Sequence, residues 1–223
     1  MAETVRRRAG RPKTAVLSRE RVLETALQVL DERGAEGMGM RDIAARLGVQ
    51  VSALYNHVGG RSDLIAGIRE LVSDRIDVSA FAEQPWPDAL RAWARSYRDA
   101  FAAHPPTIAL LAVTPLIEDS RTGLMYEVVA RALGDAGWPE DRVMSIIVAM
   151  ESFILGAAMD AVAADEMLDP GDREDVPRYR AAYLAGAERL AATGGRPHED
   201  AFSVGLDALV RGLEATHAAL DAQ

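Results

Sequence analysis

Residues 39–63, Gly-Met-Arg-Asp-Ile-Ala-Ala-Arg-Leu-Gly-Val-Gln-Val-Ser-Ala-Leu-Tyr-Asn-His-Val-Gly-Gly-Arg-Ser-Asp, constrain the fold of this chain more than any other stretch. Ile43, Ala44 and Leu47 fall on one face of a short helix, and Leu54 and Val58, four apart, give a second short helix a matching face. Gly48 supplies the tight turn between them. Two short helices joined by a turn containing glycine form a helix-turn-helix, a layout whose second helix fits the DNA major groove. Such a unit needs positive charge toward phosphates and a second copy to read a second half-site.

The net charge of −9, taken whole, argues against a nucleic-acid partner, but its distribution argues for one. Residues 1–61 hold 11 Arg or Lys and 7 Asp or Glu, a net of +4, whereas residues 62–223 hold 14 and 27, a net of −13. An acidic body is repelled by a polyanion and leaves the basic end to face it. Much of that basic charge lies in residues 1–17, where Arg6, Arg7, Arg8, Arg11 and Lys13 surround Gly10 and Pro12 without apolar periodicity. This arm reads either as a tail or as a DNA-contacting segment that orders on binding.

At 223 residues, with 49% hydrophobic residues, the chain has ample material for a buried core. The longest apolar run, 146–164, is interrupted by Glu151 and Asp160, so no membrane span is expected. The amino terminus lacks the apolar segment of a signal peptide, and the expected location is the cytoplasm. There is no cysteine, which excludes disulfides and thiolate metal sites.

Helical periodicity extends over the whole chain, without strand alternation or internal repeat, and predicts an all-α protein of nine or ten helices. Ser18 is a good N-cap for a first helix bearing Val22, Leu23, Ala26, Leu27 and Leu30 and ended by Gly34. Helices follow over 41–47 and 51–57, completing a helix-turn-helix domain at 18–61. A connecting helix over 61–78 carries Leu64, Ile65, Ile68, Leu71, Val72 and Ile76. It opens a helical regulatory and dimerisation domain at 62–223, after which 80–87 reads as a loop. Further helices are expected over 87–103, 107–113, 119–136, 139–164, 178–192 and 198–219, punctuated by prolines and glycines that remove amide donors or favour turns.

The order and the motifs Arg41-Asp42-Ile43-Ala44, Leu47-Gly48-Val49, Ser52-Ala53-Leu54-Tyr55-Asn56-His57-Val58 and Arg61-Ser62-Asp63-Leu64 resemble the tetracycline-repressor family of transcriptional regulators. A weaker resemblance, through Ala201-Phe202-Ser203-Val204-Gly205-Leu206 and the following residues to Glu214, is to the carboxy-terminal domain of the tetracycline repressor itself. From the residues alone, Gln50, Val51, Ser52 and Ala53 stand where base edges are met: Gln50 can pair with adenine, Val51 and Ala53 offer apolar contact, and Ser52 is an undemanding hydrogen-bonder. The resemblance implies that Tyr55, His57 and Arg61 contact phosphates and that Arg41 reaches a base or phosphate, with Asn56 inside the same motif. The alternatives are that the Tyr55 ring packs in the small core and that His57 is a surface histidine with no partner. Arg33 and Arg46 read as solvated. Gly39 stands where the family usually has a capping threonine that also meets a phosphate.

In the body, Ile146, Met150, Phe202, Gly205, Leu209 and Gly212 lie on two helices that suit a four-helix bundle between two subunits, which the family also implies; burial within one subunit is the alternative. Trp93, Tyr97, Phe101, Leu111, Thr114, Met125, Val129, Met150, Phe153, Met159 and Asp160 are expected to line an effector pocket, although aromatic and Met positions at helical spacing equally suit plain core. The resemblance to the drug repressor implies a metal-holding histidine where this chain has Leu111, and leucine cannot ligate a metal, so an apolar or aromatic effector without metal or cofactor is expected. The four histidines are scattered, no phosphate loop is present, and Glu151 and Asp160, nine apart, suit pocket walls or solvent better than an acid–base pair. The expected function is a homodimeric repressor, released from a palindromic double-stranded DNA operator by a small effector. An activator of the same fold and a helical adaptor that has lost DNA contacts are the rivals; the +4 front opposes the adaptor.

Overall fold

The structure, a computed structural model, describes residues 17–116 and 120–220. The basic arm before Leu17 and the expected helix start at Asp119 lie outside the described residues. Every regular element described is helical: α1 (Arg19–Gly37), α2 (Met40–Leu47), α3 (Val51–Leu54), α4 (Arg61–Ser73), α5 (Ala80–Glu83), α6 (Trp86–Ala102), α7 (Pro106–Ala112), α8 (Arg121–Asp135), α9 (Glu140–Asp160), α10 (Pro177–Thr193) and α11 (Pro197–Leu220).

Local chemistry sets most of these boundaries. The Ser18 hydroxyl accepts the Arg21 amide at 3.2 Å and opens α1, with Glu20 in the positively polarised first turn. Gly34, at φ 70°, breaks the helical path three residues before the last residue of α1. Gly48, at φ 68°, closes α2 in the left-handed conformation, and its N–H turns back to the Ala44 and Ala45 carbonyls. Eleven helices are described where nine or ten are expected, and three boundaries differ from expectation, among them α9, which ends at Asp160 instead of 164. The recognition helix α3 is a single α-helical turn, continued by a tight turn through 55–57. The connector α4 stops at Ser73 instead of 78, because the Asp77 amide donates to Ser96 Oγ and the Asp77 carboxylate takes the Ser79 N–H, steering the chain toward α6. The expected loop after it contains the single turn α5.

The α1–α3 unit closes around Leu30, Met38, Ile43 and Leu54, all fully buried. Burial of each such side chain contributes about 1.5–3 kcal/mol. The connector α4 lies directly on α1, and Gly67 permits the approach: a β-carbon there would stand 2.5 Å from Leu23 Cδ2. In the body, α6 packs along α9, with α8 and α11 on their flanks. Phe202 of α11 stacks on Phe153 of α9 at 5.4 Å, under the Arg98 guanidinium at 4.2 Å, and Arg98 also pairs with Glu199 at 2.9 Å. A β-carbon at Gly205 would lie 2.5 Å from Phe153, so this glycine admits the ring. The apolar α9 is long enough to cross a membrane by length and composition, yet here it packs against α6, α8 and α11, with Val143, Ile146, Ile147, Met150, Ile154 and Ala158 buried. Helix α10, in contrast, contributes no buried residue.

Candidate nucleic-acid interface and effector cavity

At the front of the molecule, Gln50 and Ser52 are exposed, Val51 and Ala53 half-buried, and Tyr55 and Asn56 exposed beside them. Tyr55 is 56% exposed, which removes it from the core and leaves its ring and hydroxyl in solvent. His57 is partly covered and Arg41 is exposed at the first turn of α2. Gly39 caps α2 without a side-chain hydrogen bond.

Arg61 occupies a different place from the one its motif suggests. Its guanidinium donates to the Met38 carbonyl at 2.6 Å and the Ala35 carbonyl at 2.9 Å, fastening α4 to the link between α1 and α2. The other arginines of this unit are largely committed as well. Arg19 forms a two-pronged pair with Asp63 at 2.8 and 2.6 Å and also donates to the His57 carbonyl, while Asp63 accepts the Gly59 amide at 2.8 Å. The Arg19 hydrogen bond holds the Asp63 carboxyl below its ordinary range. Arg33 pairs with Asp42 and Arg46 with Glu32, so both are ion-paired, not simply solvated. Residues 17–61 hold six Arg against six Asp or Glu, so the excess of +4 in the front of the chain resides entirely in residues 1–16.

A cavity of about 340 Å³ lies behind this unit, walled by Arg69 and Ser73 of α4, Tyr97 and Phe101 of α6, Ile108, Leu111 and Ala112 of α7, Thr114 and Leu116 beyond it, Thr122 and Tyr126 of α8, and Val148, Glu151, Ser152 and Leu155 of α9. Tyr97 and Tyr126 both donate their hydroxyls to Glu151 Oε1, at 2.9 and 2.6 Å. Burial first, and the Glu151 carboxylate next, push the Tyr97 phenol up. Burial and the hydrogen bond to Glu151 do the same for Tyr126, so both phenols remain donors. Tyr97 stacks on Phe101 at 5.1 Å and forms a flat wall. Arg69 is buried, at 9% exposure, and donates to the Leu111 carbonyl at 2.7 Å and to the Thr114 carbonyl.

Of the expected wall residues, Tyr97, Phe101, Leu111 and Thr114 line this cavity, and the others do not. Trp93, Met125, Val129 and Met150 are sealed in the core, where their spacing reflects ordinary packing. Phe153 is taken by its stack with Phe202, and Met159 is exposed at the end of α9. Asp160 lines another cavity of about 390 Å³, whose walls all come from residues 160–201 of α9, α10, α11 and their connections. Although larger, that space touches no element of the DNA-side unit or of α4. Ile146, Met150 and Phe202 also need correction as partner contacts, because each is buried inside its own subunit. Leu209 and Gly212 remain on the outer side of α11, and Gly205 faces Phe153.

The cavity is wired to the DNA-side unit through α4. Its Ser73 hydroxyl bonds Thr122 at 2.9 Å, its Glu70 accepts the Arg121 amide at 2.6 Å, and its trailing Asp74 pairs with the Arg121 guanidinium. Sequence reasoning passed over His104 in this role. Arg75 can only donate, so His104 Nε2 accepts from it at 2.5 Å, while Nδ1–H donates to Asp31 of α1 at 2.7 Å. The corner between α6 and α7 is thereby pinned to both α1 and the end of α4.

Comparison with known proteins agrees with this geometry. The family model described as bacterial regulatory proteins, tetR family, matches residues 22–68, and that described as tetracyclin repressor-like, C-terminal domain, matches residues 81–217. The chain is 28% identical over 218 residues to the HTH-type transcriptional repressor DrrR1 of Streptomyces coeruleorubidus, covering 93% of this chain and 78% of the relative. It is 29% identical over 209 residues to the tetracycline repressor protein class D of Escherichia coli, covering 92% and 93%. Among solved structures, the transcriptional regulator SCO7222, a TetR from Streptomyces coelicolor, superposes with a TM-score of 0.68 at 28% identity, over 91% of this chain and 100% of that one. Apo ActR from the same organism shares the fold, with a TM-score of 0.70 at 21% identity over 92% and 99%. With the helix-turn-helix, the connector and the body all matched, the chain belongs to the tetR family of bacterial regulatory proteins, ligand-responsive transcriptional regulators that act on DNA.

Proposed function

We propose that this protein is a homodimeric repressor that leaves a palindromic operator when a small aromatic effector enters the cavity bounded by α4, α6, α7, α8 and α9. The observation that carries the reading is that one helix, α4, both fastens the helix-turn-helix through Arg61 and walls the cavity through Arg69 and Ser73. A ligand that binds the two positions of α4 differently shifts the balance between them. The recognition turns of the dimer then leave the separation of about 34–36 Å that successive major grooves require. Gln50, Val51, Ser52 and Ala53 face base edges in this scheme, while Arg41, Tyr55, Asn56 and His57 hold the backbone. Arg61 acts first as a clamp.

Pairing is supported by the outer face of α11, where Ala201, Val204, Ala208, Gly212 and Ala215 form an exposed stripe of small and apolar residues, joined by Leu209. Met144 is exposed on α9. Small residues let a partner helix come close, and burial of exposed Val, Leu and Met side chains drives association. Repression needs no further contact surface, since a dimer over a promoter blocks polymerase. A mobility-shift assay with the DNA flanking the protein's own gene, at low salt, tests the reading: a retarded complex is expected from the dimer, and no complex would sink it. A thermal-shift screen of aromatic metabolites, with and without magnesium, then identifies the ligand by the rise in apparent stability.

A further inference from the structure

Arg69 is a buried cation with no anionic partner among the described residues. Among the described residues its bonded partners are the main-chain carbonyls of Leu111 and Thr114, and no carboxylate stands in ion-pair contact with it. Two described acids near it in the fold have other partners: Glu151 receives two tyrosine hydroxyls, and Glu70 receives the Arg121 amide. A guanidinium withdrawn from water and left with neutral acceptors retains most of its desolvation cost, and an anion supplied by a ligand would offset it. Both recorded bonds leave through one terminal nitrogen, Nη2, and Arg69 lines the cavity. The stacked Tyr97 and Phe101 rings line the same cavity.

We infer that the effector taken by this cavity is an acidic aromatic molecule, a planar ring system bearing a carboxylate or an acidic enol or phenol whose anionic oxygen pairs with Arg69. The inference rests on the reading of this cavity as the effector site. It also assigns the point at which ligand charge reaches the connector. Arg69 belongs to α4, and an anion that draws its guanidinium away from the Leu111 and Thr114 carbonyls loosens the tie between α4 and the end of α7.

Matched acid and amide probes test this on the full-length dimer, read through intrinsic fluorescence, to which Trp93 contributes from its edge contact with Tyr97 at 5.5 Å. Suitable pairs are 1-hydroxy-2-naphthoate with its carboxamide and anthraquinone-2-carboxylate with its carboxamide. The wild type is expected to bind each acid roughly tenfold or more tightly than its amide, the scale of one charge-assisted hydrogen bond. Arg69→Met should abolish the preference, so that acid and amide bind alike, and Arg69→Lys should keep part of it. Equal binding of acid and amide by the wild type, or no binding of either acid at millimolar concentration, overturns the inference whether or not the variants fold. Persistence of the preference in a folded Arg69→Met protein does so as well. Leu111→Trp, which fills the cavity, separates the two layers. Undiminished binding there overturns the cavity assignment and the inference with it, whereas lost binding in a site that showed no acid preference overturns the inference alone.

Discussion

Arg19, Arg33 and Arg46 in the amino-terminal unit each face a carboxylate, at 2.6, 2.9 and 2.5 Å, in positions open to water. Arg69, in the cavity, faces main-chain carbonyls and is nearly sealed. Exposed pairs of the first kind contribute at most about 1 kcal/mol each, and they cancel the field of the unit they decorate. A buried guanidinium of the second kind retains its charge and costs stability until something answers it. The folded part of the amino-terminal unit is thus nearly neutral, while in the body Arg69 has only main-chain acceptors among the described residues. On the proposed reading, the charge in residues 1–16 supplies long-range attraction and the buried charge of Arg69 supplies ligand selection.

The sharpest way to break this comparison is to remove residues 1–16. Five cations leave each subunit. If the arm carries the electrostatics, operator affinity at moderate salt falls on the order of 10³-fold, and the salt slope of binding flattens by several units, as measured by fluorescence anisotropy. Arg41→Ala should flatten that slope by only about 1 unit. An unchanged slope after the truncation would return the attraction to the folded unit. Gly67→Val attacks the packing and leaves charge untouched: the added side chain collides with Leu23, and a destabilisation of about 1–3 kcal/mol is expected in urea melts.

Two substitutions then separate clamp from contact. Arg61→Ala loses two bonds to carbonyls and should cost about 1–3 kcal/mol of stability. Tyr55→Ala should leave stability within about 0.5 kcal/mol but weaken binding to all DNA sequences alike. If the two variants behave identically in melts, Arg61 is not the clamp. The ion pairs themselves have a pH signature. The folded-state pKa of Asp63 is lowered, chiefly by Arg19, so its contribution is complete above the ordinary carboxylate pKa and is lost as pH falls through the depressed value. The Asp63 side chain is 37% exposed, so screening holds this below about 1 kcal/mol, and Asp63→Asn should flatten only the acid limb of a stability–pH curve. Gly39→Ser, supplying the missing cap of α2, is the smallest effect, a gain of a few tenths of a kcal/mol.

The all-helical fold was legible because its punctuation is chemical: Ser18, Gly34, Gly48 and the prolines act through local backbone geometry, which sequence displays directly. The cavity was legible only in part. Arg69 lies beside the apolar positions Ile68 and Val72, and a lone arginine there reads as solvent-facing until α7 folds over it. Glu151 looks equally ambiguous until two tyrosines from different helices converge on it. The failure with Ile146, Met150 and Phe202 has another cause. Helix α9 is apolar on more than one side, with Ile147 and Ile154 in the core, Val148 on the cavity and Met144 outside, so periodicity cannot say which side meets its own core and which could meet a partner. The distinction is made by helices distant in sequence.

The pinning of α1 from two sides, by α4 along its length and by His104 at Asp31, has a kinetic consequence. A unit held this way moves as one body, and its small core of Leu30, Met38, Ile43 and Leu54 need not open for the protein to leave DNA. Recovery after the inducing compound is exhausted then requires only its dissociation and a rigid rearrangement, on the microsecond-to-millisecond scale of domain motions, without the slower step of refolding a reader. Under the proposed mechanism, the rate at which repression returns would then be set by loss of the ligand.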